Sequence, residues 1–315
     1  MYFGGSSAYV FRLGRYREEP LPCRALSHQL ELPASRCFTI LDQMRSLLLA
    51  VLAAYVVSAI HAVLAFLNKR RALQRVSEWA MAAGFVLHTA ALIADWAIDG
   101  HYPLFYRRET LSFLAWTLVA SYGLVLYRYR ARPLGAVTLP LVSLLIFIAV
   151  IISSAAPDQA EASILSATWL FPVHTTLLLF AYAAFFVVFL ASIMYLLQER
   201  ELKLKTFSAI FHRLPSLTTV NEIATSSAAI GLTLLTVGIA TGMVWASSRD
   251  GRLWHNDPKE IFAALTWLLY VLLILYRSTS SWRGREAAWM GVAGFALVLL
   301  TFFATRLMGG YHVFG

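Results

Sequence analysis

Charged side chains are scarce in this sequence. Asp, Glu, Lys and Arg make up 14 % of the 315 residues, whereas 59 % of the residues are hydrophobic. Soluble domains carry about 25 % charged residues, so this composition excludes an ordinary soluble globular protein. Regular alternation of polar and apolar residues is also lacking, which argues against a transmembrane β-barrel.

Cysteine is nearly absent as well. Cys23 and Cys37 both lie within the first 43 residues. The rest of the sequence therefore contains no disulfide framework and no Cys-x-x-Cys motif. It also lacks His-x-x-His and His-Glu-x-x-His motifs, which argues against a zinc site.

Long apolar runs are abundant. A helix needs about 20 predominantly apolar residues to cross the hydrocarbon core of a bilayer. The sequence therefore predicts an all-α, polytopic integral membrane protein with about eight transmembrane helices. The predicted spans are roughly 46–67, 78–97, 110–127, 134–153, 169–196, 224–246, 261–276 and 287–306.

Basic residues are distributed unevenly between the loops. Loops after the odd-numbered spans hold fourteen Lys and Arg residues, whereas loops after the even-numbered spans and the C-terminal end hold six. Because cytoplasmic loops are enriched in Lys and Arg, both termini are expected on the outer side of the membrane. The net charge of +9 is then a topology signal, and no nucleic-acid partner is expected.

Residues 1–43 do not fit this topology. They contain five arginines but no apolar core of a signal peptide. Met44 directly precedes a basic residue and a long apolar run. Our hypothesis is that residues 1–43 are a disordered tail or a start site assigned too early, and that residues 44–315 form the membrane domain.

Two histidines are candidate metal ligands at the predicted outer face. His174 lies near the outer end of the fifth span, and His312 follows the eighth. Two imidazoles on opposite sides of a haem iron form a bis-histidine site. The alternatives are that His174 is hydrogen-bonded to a neighbouring carbonyl at a helix end, and that His312 belongs to a solvated tail.

The outer loop between the sixth and seventh spans contains aromatic and charged residues. Trp245 and Trp254 could stack on a flat macrocycle. Its carboxylates could pair with Arg249, Arg252 or Lys259. The alternative is an interfacial belt, because tryptophan is enriched at headgroup level. Asp257 is also predicted to be the N-cap of the seventh helix, followed by Pro258 and closed by Glu260 in a capping box.

Other polar residues are assigned with less context. His88 lies near mid-membrane, where an ionisable side chain is a functional candidate; the alternative is a buried histidine bonded to a neighbouring helix. Glu109 is expected to snorkel or to pair with nearby arginines. His101, His212 and His255 are expected on the solvated surface.

Four segments together resemble one known family. The segment "WASSRDGRLWHNDPKEIFAALTW" resembles the tryptophan-rich WWD segment of the CcsA (ResC) family, which is related to the CcmC and CcmF proteins. The other three are "LHTAALIADWAIDGHYPLFYRRETLSFLAW", "HTTLLLFAYAAF" and the terminal "GGYHVFG". The resemblance covers about residues 46–315.

This resemblance implies a membrane protein of cytochrome c biogenesis. It implies haem b held at the outer face by His174 and His312, with Trp245, Trp254 and Asp257 at the WWD positions of the outer segment 245–260. The haem would be delivered to the Cys-x-x-Cys-His motif of apocytochrome c. The chain would lie in the plasma membrane with a ResB/CcsB-like subunit, as part of a cytochrome c synthase (haem lyase) complex.

The sequence departs from the family in two places. Leu275 occupies the place of a histidine that the family commonly has late in the seventh span, and His88 is the candidate substitute. The segment "WHNDPKE" replaces the more usual Trp-x-Trp-Asp start and so contains one fewer tryptophan. Two other functions therefore stay open: a HemX-like regulator of tetrapyrrole synthesis, and a YpjD-like transporter or efflux accessory without haem ligation.

Overall fold

The structure is a computed structural model that describes residues 34–99, 101–152, 168–205, 211–279 and 284–308. Within these ranges the chain forms helices and no strand, as the composition predicts. The helices are α1 (Ala34–Asn68), α2 (Arg71–Asp99), α3 (Arg107–Tyr129), α4 (Gly135–Ile151), α5 (Leu170–Leu204), α6 (Leu217–Asp250), α7 (Pro258–Thr279) and α8 (Gly284–Met308).

All eight helices are long and apolar enough to cross a membrane. The predicted all-α, multi-pass architecture is therefore confirmed. The third and seventh helices, whose apolar runs are short, contain 23 and 22 residues. Their polar first turns add the missing length. The placement of both termini on the outer side stays a prediction.

The chain divides into two compact units between Gln43 and Met44. The second unit contains the apolar part of α1, Arg45–Asn68, and the other seven helices. Residues 1–33 lie outside the described residues, and α1 begins at Ala34. The start of translation at Met44 stays a prediction.

Helix α5 is the centre of the bundle. In its most apolar stretch 72 % of the residues are buried, against 50 % or less in the other seven spans. Residues 181–188 are all buried, because this stretch is apolar on every side and needs protein neighbours all around. Helices α6 and α8 pack along α5, and α3 and α4 pack on each other beside it.

A stacked aromatic pair joins α5 to its neighbours. The rings of Phe185 and Tyr270 lie parallel with their centroids 3.7 Å apart. A Cβ atom at Gly231 of α6 would lie 2.5 Å from the Phe185 ring. The glycine therefore lets α6 approach this ring closely, as small residues do in membrane helix packing.

The two ends of the bundle differ in composition. Residues 101–106, the first turns of α5 and α7, and the last turns of α6 form what we call the aromatic end. The end of α1, the start of α2, the end of α3 and the turn 211–215 form the basic end. Since α3 has 23 residues, its two termini are about 35 Å apart.

Candidate functional site

His174 lies on the first turns of α5 and faces α6. Its Nδ1 atom is 2.7 Å from the carbonyl oxygen of Gly238. A Cβ atom at Gly242, one turn further along α6, would lie 2.5 Å from His174 Cε1. The absence of a side chain at residue 242 therefore lets the imidazole approach the α6 backbone closely.

This contact fixes the tautomer of His174. A carbonyl oxygen can only accept, so Nδ1 carries the proton and donates it to Gly238, and the lone pair of the neutral ring is on Nε2. Metal-ligating histidines usually have this arrangement, in which the non-ligating nitrogen donates to a carbonyl or carboxylate. The two interpretations of His174, a hydrogen bond to a carbonyl and a ligand role, are therefore compatible, because each uses a different ring nitrogen.

An aromatic cluster lies about one helical turn from this histidine at the aromatic end. Trp245 is only 4 % exposed, and its ring centroid is 5.4 Å from that of Phe171. Phe171 in turn lies 5.9 Å from Phe105. A tryptophan in an interfacial belt would be exposed to headgroups, so the burial of Trp245 argues against the belt for this residue.

Sequence reasoning missed Phe105 and Phe171 as parts of this cluster. Phe171 precedes His174 by three residues, and Phe105 lies in the aromatic-rich "GHYPLFY". The density of aromatic residues next to a polar helix start is the signal that could have identified them. Their contact joins residues 66 positions apart, which no local pattern specifies.

The loop 101–106 is fastened to both α3 and α5. Tyr102 Oη lies 3.1 Å from Thr176 Oγ1. Glu109 accepts hydrogen bonds from the backbone N–H groups of Phe105 and Tyr106 through Oε2, at 3.0 and 3.2 Å. The snorkelling expected of Glu109 is wrong, because its side chain is buried and caps the start of α3.

His101 is also placed differently from the expectation. Its ring is partly buried, with its centroid 4.8 Å from the ring of Phe105 and 5.4 Å from that of Tyr106. It therefore belongs to the aromatic cluster. Both ring neighbours belong to the same loop, 101–106.

The predicted cap of the seventh helix is confirmed. Asp257 is buried, and its Oδ1 accepts from the Lys259 N–H at 2.8 Å. Glu260 Oε2 accepts from the Asp257 N–H at 3.3 Å, which completes the capping box. The sequence Asp-Pro-Lys-Glu therefore fixes where α7 begins.

His255 lies between two carboxylates, so its assignment to the solvated surface is wrong. Its Nε2 is 2.8 Å from Asp250 Oδ2, and its Nδ1 is 3.3 Å from Glu260 Oε1. Its backbone N–H also donates to Glu260 Oε2 at 2.8 Å. Glu260 therefore links the end of the loop to the start of α7, and His255 links both to the end of α6.

The two tryptophans of the loop have different environments. Trp245 is buried, whereas Trp254 is 38 % exposed and donates from Nε1 to Asn256 Oδ1 at 2.9 Å. Asn256 has a positive φ of 56°, a conformation that asparagine tolerates better than most residues. Trp254 therefore presents part of its ring to the surroundings from a fixed turn.

The two candidate arginines are both exposed at this end. The Arg249 guanidinium lies 5.7 Å above the Trp245 ring, in a cation–π arrangement. The backbone N–H of Arg252 donates to Asp250 Oδ1 at 3.2 Å. The structure thus brings His174, Trp245, Trp254, Asp257, Arg249 and Arg252 to one end of the bundle.

His88 is in a separate place within the bundle. Its side chain is fully buried, with Nδ1 3.3 Å from Tyr55 Oη and Nε2 2.9 Å from Ser112 Oγ. Both ring nitrogens thus have partners on α1 and α3, which is the alternative of a buried histidine bonded to neighbouring helices. His312 lies outside the described residues, and Leu275 is exposed on α7.

The fold and the site define a multi-pass helical membrane protein with an oriented histidine and an aromatic cluster at one end. The chain belongs to the cytochrome c assembly protein family, which it matches over residues 108–312. The expected resemblance to the CcsA family is confirmed. This membership gives the protein a role in cytochrome c biogenesis.

Curated relatives support the same assignment. The chain is 28 % identical over 255 residues to cytochrome c biogenesis protein CcsA of Prochlorococcus marinus (strain MIT 9301), covering 73 % of this chain and 81 % of the relative. It is 27 % identical over 298 residues to CcsA of Saccharum officinarum, covering 82 % of this chain and 92 % of the relative.

A solved structure has the same fold. The cytochrome c haem lyase CcmF aligns with a TM-score of 0.59 and 19 % identity, over 84 % of this chain. At this identity the similarity concerns the fold alone. The chain spans 45 % of the length of that protein.

Proposed function

We propose that this protein holds haem b at the aromatic end and presents it for attachment to apocytochrome c. The observation that carries the proposal is the His174 ring, whose Nδ1–H is bound to the Gly238 carbonyl 2.7 Å away. That bond places the ring proton on Nδ1, so Nε2 is the nitrogen proposed to coordinate the iron, and the bond makes it more basic. The aromatic cluster beside the ring suits a flat macrocycle.

His312 is the proposed second axial ligand. The family match extends to this residue, so both histidines fall within the matched range 108–312. Two axial histidines fill both free positions of a haem iron and protect it from other ligands. The assignment of His312 comes from the resemblance of "GGYHVFG" to the family's terminal segment.

The loop between α6 and α7 supplies the other proposed contacts. Trp254 offers an exposed aromatic surface, and the exposed guanidinium groups of Arg249 and Arg252 can pair with the haem carboxylates. The buried cap at Asp257 keeps the loop in position. Haem itself supplies the iron and the groups that form thioether bonds with the Cys-x-x-Cys-His motif.

The location and the partners follow from the charge distribution and the family. The basic end carries most of the loop cations and is assigned to the cytoplasm, which puts the aromatic end at the outer face of the plasma membrane. Apocytochrome c is available on that side. A ResB/CcsB-like membrane subunit is the proposed partner, and together they would form a cytochrome c synthase.

The decisive experiment measures haem in the purified protein. The unmodified chain should give the absorption spectrum of low-spin, bis-histidine haem, and His174→Ala should lose it. His174→Gly should regain it when imidazole is added, because the free imidazole replaces the missing ring. His61→Ala is the matched control, since His61 bonds only the Val57 carbonyl of its own helix in the described contacts.

The outcomes separate the candidate functions. Loss of the spectrum in His174→Ala but not in His61→Ala supports the proposed haem site. A haem-binding protein whose deletion leaves c-type cytochromes unchanged would instead be a HemX-like regulator. Protein that never retains haem would favour the transporter or efflux accessory and would rule out the proposal.

A further inference from the structure

A cleft lies at the basic end, far from the aromatic cluster. It has a volume of about 360 Å³ and is bordered by α1, α2, α3 and the turn 211–215. Small-molecule sites typically have volumes of about 300–1,000 Å³. Four cationic side chains line the cleft: Lys69, Arg130, Arg132 and Arg213.

Positive charge exceeds negative charge in this cleft. Glu78 is the only carboxylate among the described residues that line it, and it pairs with Arg132 at 2.7 Å. This ion pair accounts for one of the four cations. The remaining three make the cleft an attractive site for an anion.

Arg213 lines the cleft and has one buried donor. Its Nε atom is shielded from solvent and has no hydrogen-bond partner in the described part of the chain. Its guanidinium lies 5.7 Å from the ring centroid of Phe66, which also lines the cleft. Buried donors are nearly always paired in folded proteins, and the described residues leave this one unused.

Two of the cations have left-handed backbone conformations. Lys69 and Arg130 both have positive φ angles, of 52° and 54°, where they end α1 and α3. Residues with a Cβ atom rarely adopt this conformation. Helices nevertheless commonly end in such a residue, and Lys205 ends α5 in the same way with a φ of 53°, so these angles only fix where the two cations leave their helices.

We propose that this cleft binds the phosphate headgroup of an anionic phospholipid. Arginine donates hydrogen bonds to phosphate oxygens from its planar fork, and Arg130 and Arg213 both line the cleft. Beside the cleft, Leu64 and Leu67 of α1 are exposed and can contact the acyl chains. Basic pockets between membrane helices are suited to anionic lipid headgroups, and a free phosphate would make no use of these leucines.

Native mass spectrometry of the purified full-length protein tests the proposal. Phosphatidylglycerol should bind more tightly than zwitterionic phosphatidylcholine. Each removed cation should weaken phosphatidylglycerol binding about fivefold, so the double variant Arg130→Gln/Arg213→Gln should lose on the order of thirtyfold. Arg128→Gln removes an exposed charge that does not line the cleft and should have little effect.

Three results would overturn the proposal. Equal binding of the two lipids would remove the role of the anionic headgroup, and this comparison needs no variant. Equal weakening by Arg128→Gln would indicate diffuse attraction without a site. Displacement of the lipid by millimolar inorganic phosphate would assign the cleft to a soluble phosphate. If the double variant does not fold, Arg213→Lys keeps the charge but loses the fork, and should still weaken binding.

Discussion

Polar side chains at the two ends of the bundle differ in how many of their hydrogen-bond and ion-pair partners lie within the protein. At the aromatic end, His174 is bonded to a backbone carbonyl and His255 lies between two carboxylates. At the basic end, Glu78 pairs with Arg132, and the other three cations of the cleft have no paired carboxylate among the described lining residues. The Nε atom of Arg213 has no hydrogen-bond acceptor among the described residues.

This difference separates two kinds of binding site. Side chains whose hydrogen bonds are already made are held in one orientation before a ligand arrives, which lowers the entropic cost of binding. Cations with few partners attract an anion but specify its position less closely. The aromatic end is therefore suited to positioning a rigid ligand, and the basic end to retaining a charged, flexible one.

The largest expected effect comes from the buried aromatic cluster. Replacing Trp245 by Ala should lower the free energy of unfolding by about 3–5 kcal/mol, because the ring packs against Phe171 and leaves a cavity when removed. Trp79→Ala is the matched control, since Trp79 is 76 % exposed. Thermal unfolding in detergent measures both. Equal effects would mean that Trp245 contributes no more to the free energy of unfolding than the exposed Trp79 does.

Gly242→Ala should produce the next largest effect, on haem binding. The added Cβ would lie 2.5 Å from His174 Cε1, so the imidazole must move. Disturbing the groups that orient a metal-ligating histidine typically costs about 10–100-fold in metal affinity, and we expect a loss of haem affinity in that range.

A matched glycine isolates the cause of this loss. Gly123→Ala introduces the same methyl group on α3, where no atom lies within 4 Å of the new Cβ. Both changes favour the helix equally, so only the collision with His174 differs. Haem titration followed by absorption measures the two. Unchanged affinity in both variants would contradict the orientation of His174 as the basis of ligation.

Much of the fold was predictable because it depends on local sequence. The eight apolar runs became eight helices, and Asp257, Pro258 and Glu260 capped α7 as their order predicted. The contacts of Phe105 with Phe171 and of His174 with Gly238 could not be predicted in this way. They join segments that are distant in sequence, and only the packing around α5 determines them.

The position of His255 illustrates the same limit. Its acceptors, Asp250 and Glu260, are each five residues away in the sequence. The loop must turn through Gly251 and Asn256, both with positive φ, to bring them together. The glycine was visible in the sequence, but the path of the loop was not.

Glu260→Gln should have a smaller effect, confined to the loop. The carboxylate accepts from the N–H groups of His255 and Asp257 and lies 3.3 Å from His255 Nδ1. Neutralising it should cost about 1–3 kcal/mol, because hydrogen bonds to charged groups are stronger than neutral ones. Hydrogen exchange should become faster in residues 251–257. Glu222→Gln, at an exposed position on α6, is the control and should leave exchange in that loop unchanged.

The smallest expected effect is at the basic end. Arg132 and Glu78 form an ion pair of 2.7 Å, but their side chains are 45 % and 33 % exposed. Exposed pairs contribute about 0–1 kcal/mol, so Arg132→Gln should hardly change the unfolding midpoint. A loss of stability comparable with that expected for Glu260→Gln would mean that polar contacts stabilise the basic end as much as the aromatic end. An unchanged midpoint with weaker phosphatidylglycerol binding would instead assign the cations of this end to the ligand and not to the fold.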